Sequence, residues 1–239
     1  MRPLLENEER NVPPEIKTIY LALPFRLGTV NCYLIKTDSN YTLIDTGPSN
    51  QRAALETALA RAGCTPDALD LILLTHGDFD YTGNAAYLAD KFDAKIALYA
   101  GDWGMAERSD MFAGRTSGNW VAKLLEPLSP VLFGFGRAER FTPDIALDEE
   151  TDLAQFGFDA RVLSLPGHSR GSMGILTNGD LFCGDLFDNT NGPTLNRLMD
   201  DPAAGQASID RLAKLNVQTV YPGHGDPFPM STFLEKNQR

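Results

Sequence analysis

Residues Leu71–Asn84 read LILLTHGDFDYTGN: an apolar run stops at His76, and Asp78 and Asp80 follow at two-residue intervals before Tyr81 and Gly83. The chain has three histidines in 239 residues, and the other two stand in similar settings, LPGHSRGS around His168 and YPGHGDPF around His224. Each follows an apolar run and sits beside glycine, as at a strand that ends in a turn. Aspartates take like positions, Asp45 in LIDTG and Asp185 in LFCGDLF. Imidazoles and carboxylates delivered from several strand ends to one rim make a metal site, because loop residues converge there while the sheet holds them rigid. A mixed nitrogen and oxygen set suits zinc, iron or manganese, whereas calcium takes oxygen alone. Taken singly, each residue has a plainer explanation. A lone histidine at a strand end is usually a half-buried polar group, Asp80 or Thr82 could cap the next helix, and Asp45 could belong to a turn. Three histidines in one kind of setting, accompanied by aspartates, favour the metal.

The elements that must position these groups follow from periodicity. β-type runs at Lys17–Leu23, Asn31–Thr37 and Tyr41–Gly47, the last two joined by the turn residues Asp38-Ser39-Asn40, predict a hairpin meander. Alanine and leucine at helical spacing predict a helix over Asn50–Ala62, stopped by Gly63. Strand Leu71–Thr75, helix Thr82–Phe92 and strand Lys95–Tyr99 come next. β-type runs return at Arg161–Leu165, Met173–Thr177 and Asp180–Cys183, before helix Ala203–Leu215 and strand Gln218–Tyr221. Meander strands combined with strand–helix alternation in both halves predict an α/β fold with two sheets face to face and helices outside. No repeat period and no low-complexity linker divides the chain, so residues 1–239 are expected to form a single domain. Gly101–Asp148 is less regular: it holds Trp103, Trp120 and the run Val121–Gly136, which Pro127 and Pro130 interrupt. It is expected to be an inserted loop-and-helix region packed on the domain, a lid over the site, or the contact of a homodimer.

Composition narrows the function. A formal net charge of −11 repels phosphate backbones and anionic lipid, so nucleic acid and membranes are poor partners and a small molecule is the expected one. No apolar run forms a signal peptide or a membrane span, which predicts a cytoplasmic protein. Cys32, Cys64 and Cys183 are an odd number without a C-x-x-C, against a disulfide framework, and Cys32 and Cys183 read as buried packing residues.

In this order, Thr75–Tyr81, Gly167-His168, Gly184-Asp185 and Pro222-Gly223-His224, with LIDTG at Leu43–Gly47 before them, the chain resembles the metallo-β-lactamase-fold hydrolases. Their signature is T-H-x-H-x-D-H, then Gly-His, then an aspartate, then Pro-Gly-His. The resemblance spans the whole chain and implies an αββα four-layer sandwich of two mixed sheets, with one or two divalent ions at its edge. By position, His76, Asp78 and His168 would hold a first ion, Asp185 would bridge, and Asp80, Asp185 and His224 would hold a second. Asp78 and Tyr81 depart from the pattern, each standing where the family has histidine. A phenol with pKa near ~10 is a poor zinc ligand, and a carboxylate at 78 makes the first site harder, toward iron or manganese, with zinc still the leading ion. The implied activity is attack by metal-bound hydroxide on an ester, thioester or lactone, with Asp80 orienting the water and carrying its proton. Asp45 would stand behind the ligands and fix one of the histidines. Absence of an export signal argues against β-lactams. An iron-dependent redox enzyme is the first alternative, either a mononuclear dioxygenase or a diiron reductase, although the flavin domain expected beside a diiron site would have to follow Arg239 or come from a partner. The second alternative is a partly degenerate metal-binding protein without catalysis.

Overall fold

A computed structural model describes residues 14–23, 28–37, 40–113, 115, 139–149 and 151–237. The first sheet has six strands in sequence order: β1 Ile16–Ala22, β2 Thr29–Lys36, β3 Tyr41–Ile44, β4 Leu69–Leu74, β5 Lys95–Tyr99 and β6 Ile145–Leu147. β1, β2 and β3 are antiparallel neighbours, and β3 to β6 run parallel. Helix α1, Arg52–Arg61, makes the crossover from β3 to β4; α2, Phe79–Thr82, and α3, Ala85–Phe92, make the crossover from β4 to β5. After α4, Trp103–Arg108, the chain returns to this sheet as β6.

The second sheet contains β7 Arg161–Ser164, β8 Met173–Thr177, β9 Asp180–Phe182, β12 Thr219–Tyr221 and β14 Phe228–Pro229, in the order β14-β12-β9-β8-β7. A small sheet joins β10 Phe187–Asn189 to β11 Thr194–Leu195 and β13 His224–Gly225. Helices α5, Pro202–Leu212, and α6, Met230–Asn237, complete the described elements. The Asp201 side chain caps α5 by accepting from the N–H groups of Ala203 and Ala204, and Pro202 opens the helix where its missing N–H costs nothing.

Side-chain alternation along the strands produces the layers. In β2, Val30, Cys32 and Leu34 face a core shared with Leu55 and Leu59 of α1 and Leu88 of α3, while Tyr33 and Ile35 face the other sheet. β4 splits likewise: Ile72 and Leu74 meet the helices, Leu71 and Leu73 meet Val162, Met173, Ile175 and Phe182 of the second sheet. A third core packs Leu163, Leu181 and Val220 against Ile209 and Leu212 of α5 and Phe233 of α6. Helix, sheet, sheet, helix is the four-layer order expected, with a strand buried on both faces reading as the continuous apolar run seen at Leu71–Leu74.

Two local outcomes differ from the periodicity. Helix Thr82–Phe92 begins instead as the separate turn α2 and is broken at Gly83–Asn84. The cause is tertiary: the Asn84 amide donates to the carbonyls of Thr46 and Pro48 at 2.8 and 3.0 Å, and a Cβ at Gly83 would stand 2.5 Å from the Ser49 nitrogen. β6 lies within the irregular Gly101–Asp148 region, too short to show an alternation of its own. Trp120, the run Val121–Gly136 and the turn at Asp38-Ser39 lie outside the described residues. The cysteines are all free and buried, in keeping with their expected packing role.

Candidate metal centre

Parallel strands deliver their C-terminal ends to one edge, and both sheets use this. β3, β4 and β5 end in Asp45, in His76 to Asp80, and in Asp102. β7 and β9 both oppose β8, so they run the same way, and β12 is parallel to β9; their ends lead to His168, Asp185 and His224. Ligand atoms of His76, His168 and Asp185 all lie within 4.8 Å of one another, and the three residues are buried. This group can hold a metal ion.

Each imidazole is oriented from behind. The Thr75 hydroxyl donates to Asp45 Oδ2 at 2.9 Å and lies 3.1 Å from His76 Nδ1. Because its single proton goes to Asp45, the hydroxyl accepts from Nδ1–H, which leaves Nε2 of His76 as the free base. Asp45 therefore acts on His76 through the Thr75 hydroxyl. Its own backbone is held in the left-handed region at φ 59, where the Thr75 N–H meets Oδ1 at 2.8 Å. His224 Nδ1 donates to the Thr29 carbonyl at 2.7 Å, and His168 Nδ1 to the Leu198 carbonyl. All three Nε2 atoms are thus turned to the centre.

Gly167 allows the approach of His168: at φ +152 it tolerates a conformation L side chains rarely adopt, and a Cβ there would stand 2.5 Å from Cα of Gly205 in α5.

The carboxylates fill the gaps between these rings. Asp78 Oδ2 lies 3.0 Å from His168 Nε2 and 3.7 Å from His76 Nε2. Asp185 reaches His168 Nε2 at 3.7 Å through Oδ2 and His224 Nε2 at 3.4 Å through Oδ1. Tyr81 donates its phenol proton to the same Oδ1 at 2.6 Å. Burial, and next the Asp185 charge, push the Tyr81 pKa well above its ordinary value, so it stays a neutral donor. Asp80 is half-buried at the start of α2. Desolvation, with Asp78 and Asp185 nearby, pushes its carboxyl up to about 7 against the pull of His224. Asp78, Asp80 and His224 stand outside the tight group of three, His224 on the Asp185 side of it.

The orphaned atom decides whether these residues suit a cation. His76 Nε2 is fully buried and has no hydrogen-bond partner, a state that costs free energy unless something fills it. Burial lowers the His76 pKa to about 4, so at neutral pH this nitrogen presents a lone pair rather than a proton. A divalent ion is what a lone pair flanked by carboxylate oxygens is suited to accept.

Several groups with a part in the geometry carried no signal in the sequence. Asp102 accepts from Gly77 N–H at 3.1 Å, Ser169 Oγ at 2.6 Å and Gly171 N–H at 2.8 Å, tying the His76 loop to the His168 loop. Arg115 donates to Asp78 Oδ1 at 2.6 Å, and its Nε lies 3.4 Å from Asp200. A cavity of about 430 Å³ is lined by Asp188, Asn196, Arg197, Leu198 and Lys236 among others, and the Leu198 carbonyl is the one that receives His168 Nδ1.

The family model of the metallo-beta-lactamase superfamily matches residues 25–224. The chain belongs to that superfamily. Among curated relatives, "Probable metallo-hydrolase YqjP" of Bacillus subtilis is 27% identical over 93% of this chain and 75% of its own length. "Hydroxyacylglutathione hydrolase GloC" of Haemophilus influenzae is 30% identical over 72% of this chain and 74% of its own length. The solved structure of TTHA1623 in a di-iron-bound form superposes with a TM-score of 0.65 at 26% identity, covering 90% of this chain and 97% of that one. The protein is accordingly a probable metallo-hydrolase of the metallo-beta-lactamase superfamily, with its αββα fold. No helix among the described residues is long and apolar enough to cross a membrane.

Proposed function

We propose that this superfamily member hydrolyses an ester, thioester or lactone-type bond in a small molecule. The observation that carries the proposal is His76 Nε2, buried and unpartnered beside His168 and Asp185. His76, Asp78, His168 and Asp185 would hold a first divalent ion; Asp80, Asp185 and His224 would hold a second, weaker one because Tyr81 already engages Asp185 Oδ1. Zinc suits the imidazole share of this set and iron or manganese the carboxylate share. A bound ion of this kind lowers the pKa of its water toward ~7 and polarises the carbonyl under attack.

Asp80 is the group that moves the proton. Standing at the start of α2 close to Asp78, Asp185 and His224, it would take a proton from the attacking water and return it to the leaving oxygen or sulfur. The cavity whose lining residue Leu198 holds His168 from behind would take the substrate's remainder. Likeness to a hydroxyacylglutathione hydrolase supports thioesters within the class. Three free, buried cysteines suit a reducing compartment, and the cytoplasm is the setting we assign.

Iron chemistry is the second reading, favoured by the Asp78 carboxylate and the di-iron form of TTHA1623. Elemental analysis and a visible spectrum of protein purified without added ions, followed by a panel of neutral esters, thioesters and lactones, test the two together. Colourless protein with bound zinc and turnover of a panel member is the expected result. An iron chromophore with no hydrolysis of any panel member overturns it in favour of redox chemistry.

A further inference from the structure

Asp78 divides its two oxygens. Oδ2 turns to His168 and His76, at 3.0 and 3.7 Å, whereas Oδ1 receives Nη2 of the Arg115 guanidinium at 2.6 Å, the same nitrogen lying 3.3 Å from His168 Nε2. On its other side Arg115 faces Asp200, an ion pair with Oδ2 3.4 Å from Nε but no hydrogen bond, and Asp200 in turn donates its backbone N–H to the His168 carbonyl at 3.3 Å. Its side chain is only 13% exposed. A guanidinium taken that far out of water is costly unless its charge is used, and the charge it meets is the carboxylate that stands where the superfamily's sequence pattern has a neutral imidazole.

That substitution adds one negative charge to a pocket already holding Asp80 and Asp185. Like charges so close repel one another and spread the carboxylates apart. A fixed cation on the outer oxygen cancels the added charge and leaves the inner oxygen pointing inward. The arrangement resembles the carboxylate beside a ligating histidine, with the roles exchanged: here the carboxylate faces the centre and the protein's cation stands beside it, within reach of His168 Nε2 as well.

We infer that Arg115 is a positioning residue for the metal centre: it neutralises Asp78 and turns Oδ2 toward the ion, so that Asp78 and Arg115 together replace one histidine. This rests on the metal-centre reading above. Its consequence is non-additive. Asp78→His alone leaves the guanidinium facing two neutral rings and an incoming cation, with no carboxylate between them, so restoring the family's residue weakens the site. Removing Arg115 in the same chain relieves it.

The test is competitive titration of chelator-stripped full-length protein with zinc, and the visible spectrum of the cobalt(II)-loaded form, for wild type, Arg115→Met, Arg115→Lys, Asp78→His and Asp78→His/Arg115→Met. Arg115→Met is expected to weaken zinc about 10–100-fold and to move the cobalt bands. Arg115→Lys is expected to recover part of that loss, since it keeps the charge without the fork. The double variant is expected to bind tighter than Asp78→His. Wild-type affinity and an unchanged cobalt spectrum in Arg115→Met overturn the inference, as does a double variant no better than Asp78→His. Zinc binding tighter in Arg115→Met than in wild type also overturns it, by making Arg115 a competitor for the site. If wild type takes up no ion at all, the metal-centre reading falls, and this inference with it.

Discussion

The phenol of Tyr81 donates to Asp185 Oδ1 over 2.6 Å, at the oxygen that also lies 3.4 Å from His224 Nε2. Gly223 packs against this contact so closely that a Cβ there would stand 2.0 Å from the Tyr81 hydroxyl. Tyr81 therefore occupies one acceptor position of the carboxylate that two ions would share.

Tyr81→His removes that donor and supplies a ligand nitrogen. Elemental analysis after equilibrium dialysis should show metal content rising by up to one ion per chain over wild type. An unchanged stoichiometry would mean that the phenol does not limit the second site.

The His168 proton competes with metal. Burial alone would lower this pKa, but the hydrogen bond to Asp78 and the charges of Asp185 and Asp78 outweigh it and raise it to about 9. Zinc uptake near pH 7 should release a proton, and apparent affinity should climb roughly tenfold per pH unit up to about 9, as read by titration in buffers of different ionisation enthalpy. The same shift sets the stability of the stripped protein. A histidine raised in the folded state stabilises fully below its unfolded pKa of ~6.5, and that contribution, at most roughly 3 kcal/mol, is lost as pH rises through about 9. Thermal unfolding of metal-free protein should show this decline between those limits, and saturating zinc should flatten it.

Thr75→Val deletes the hydroxyl between Asp45 and His76 while keeping the side chain's shape. His76 then loses its Nδ1 acceptor, and zinc affinity should fall about 10–100-fold. Thr75→Ser, which keeps the hydroxyl, should restore most of it. Equal affinity in the valine variant would show that the ring is oriented by packing against Tyr81, 4.1 Å away between ring centroids.

Asp102→Ala strands two buried backbone donors, on Gly77 and Gly171, and takes from Ser169 Oγ one of its two partners, Ser172 Oγ remaining at 2.8 Å. Urea unfolding should report a loss of about 2–5 kcal/mol through a lower midpoint at unchanged slope. Metal affinity should fall as well, because the loops of His76 and His168 lose their common tie. A midpoint within error of wild type would mean that the clamp is dispensable.

How much of this could be read along the chain depends on range. The break before α3 is written in Asn84 only if its carbonyl partners at Thr46 and Pro48 are known, and they lie 38 and 36 residues away. Strand ends marked by an apolar run, a histidine and a glycine are local patterns, which is why His76, His168 and His224 stood out together. Asp102 follows β5 with no histidine beside it, and Arg115 belongs to a stretch without a motif.

Sequence by itself determined the layers, since apolar period decides which face of each strand and helix leaves water, and it determined the chemical types gathered at the strand ends. Tertiary structure alone decided their pairing: that Asp45 works through Thr75, that Tyr81 goes to Asp185, and that Asp78 shares itself between the centre and Arg115. Burial and most of the secondary structure are set by residue type and spacing along the chain, the break before α3 excepted. Hydrogen bonds and ion pairs between side chains are set to within an ångström or less by the packing of elements far apart in it.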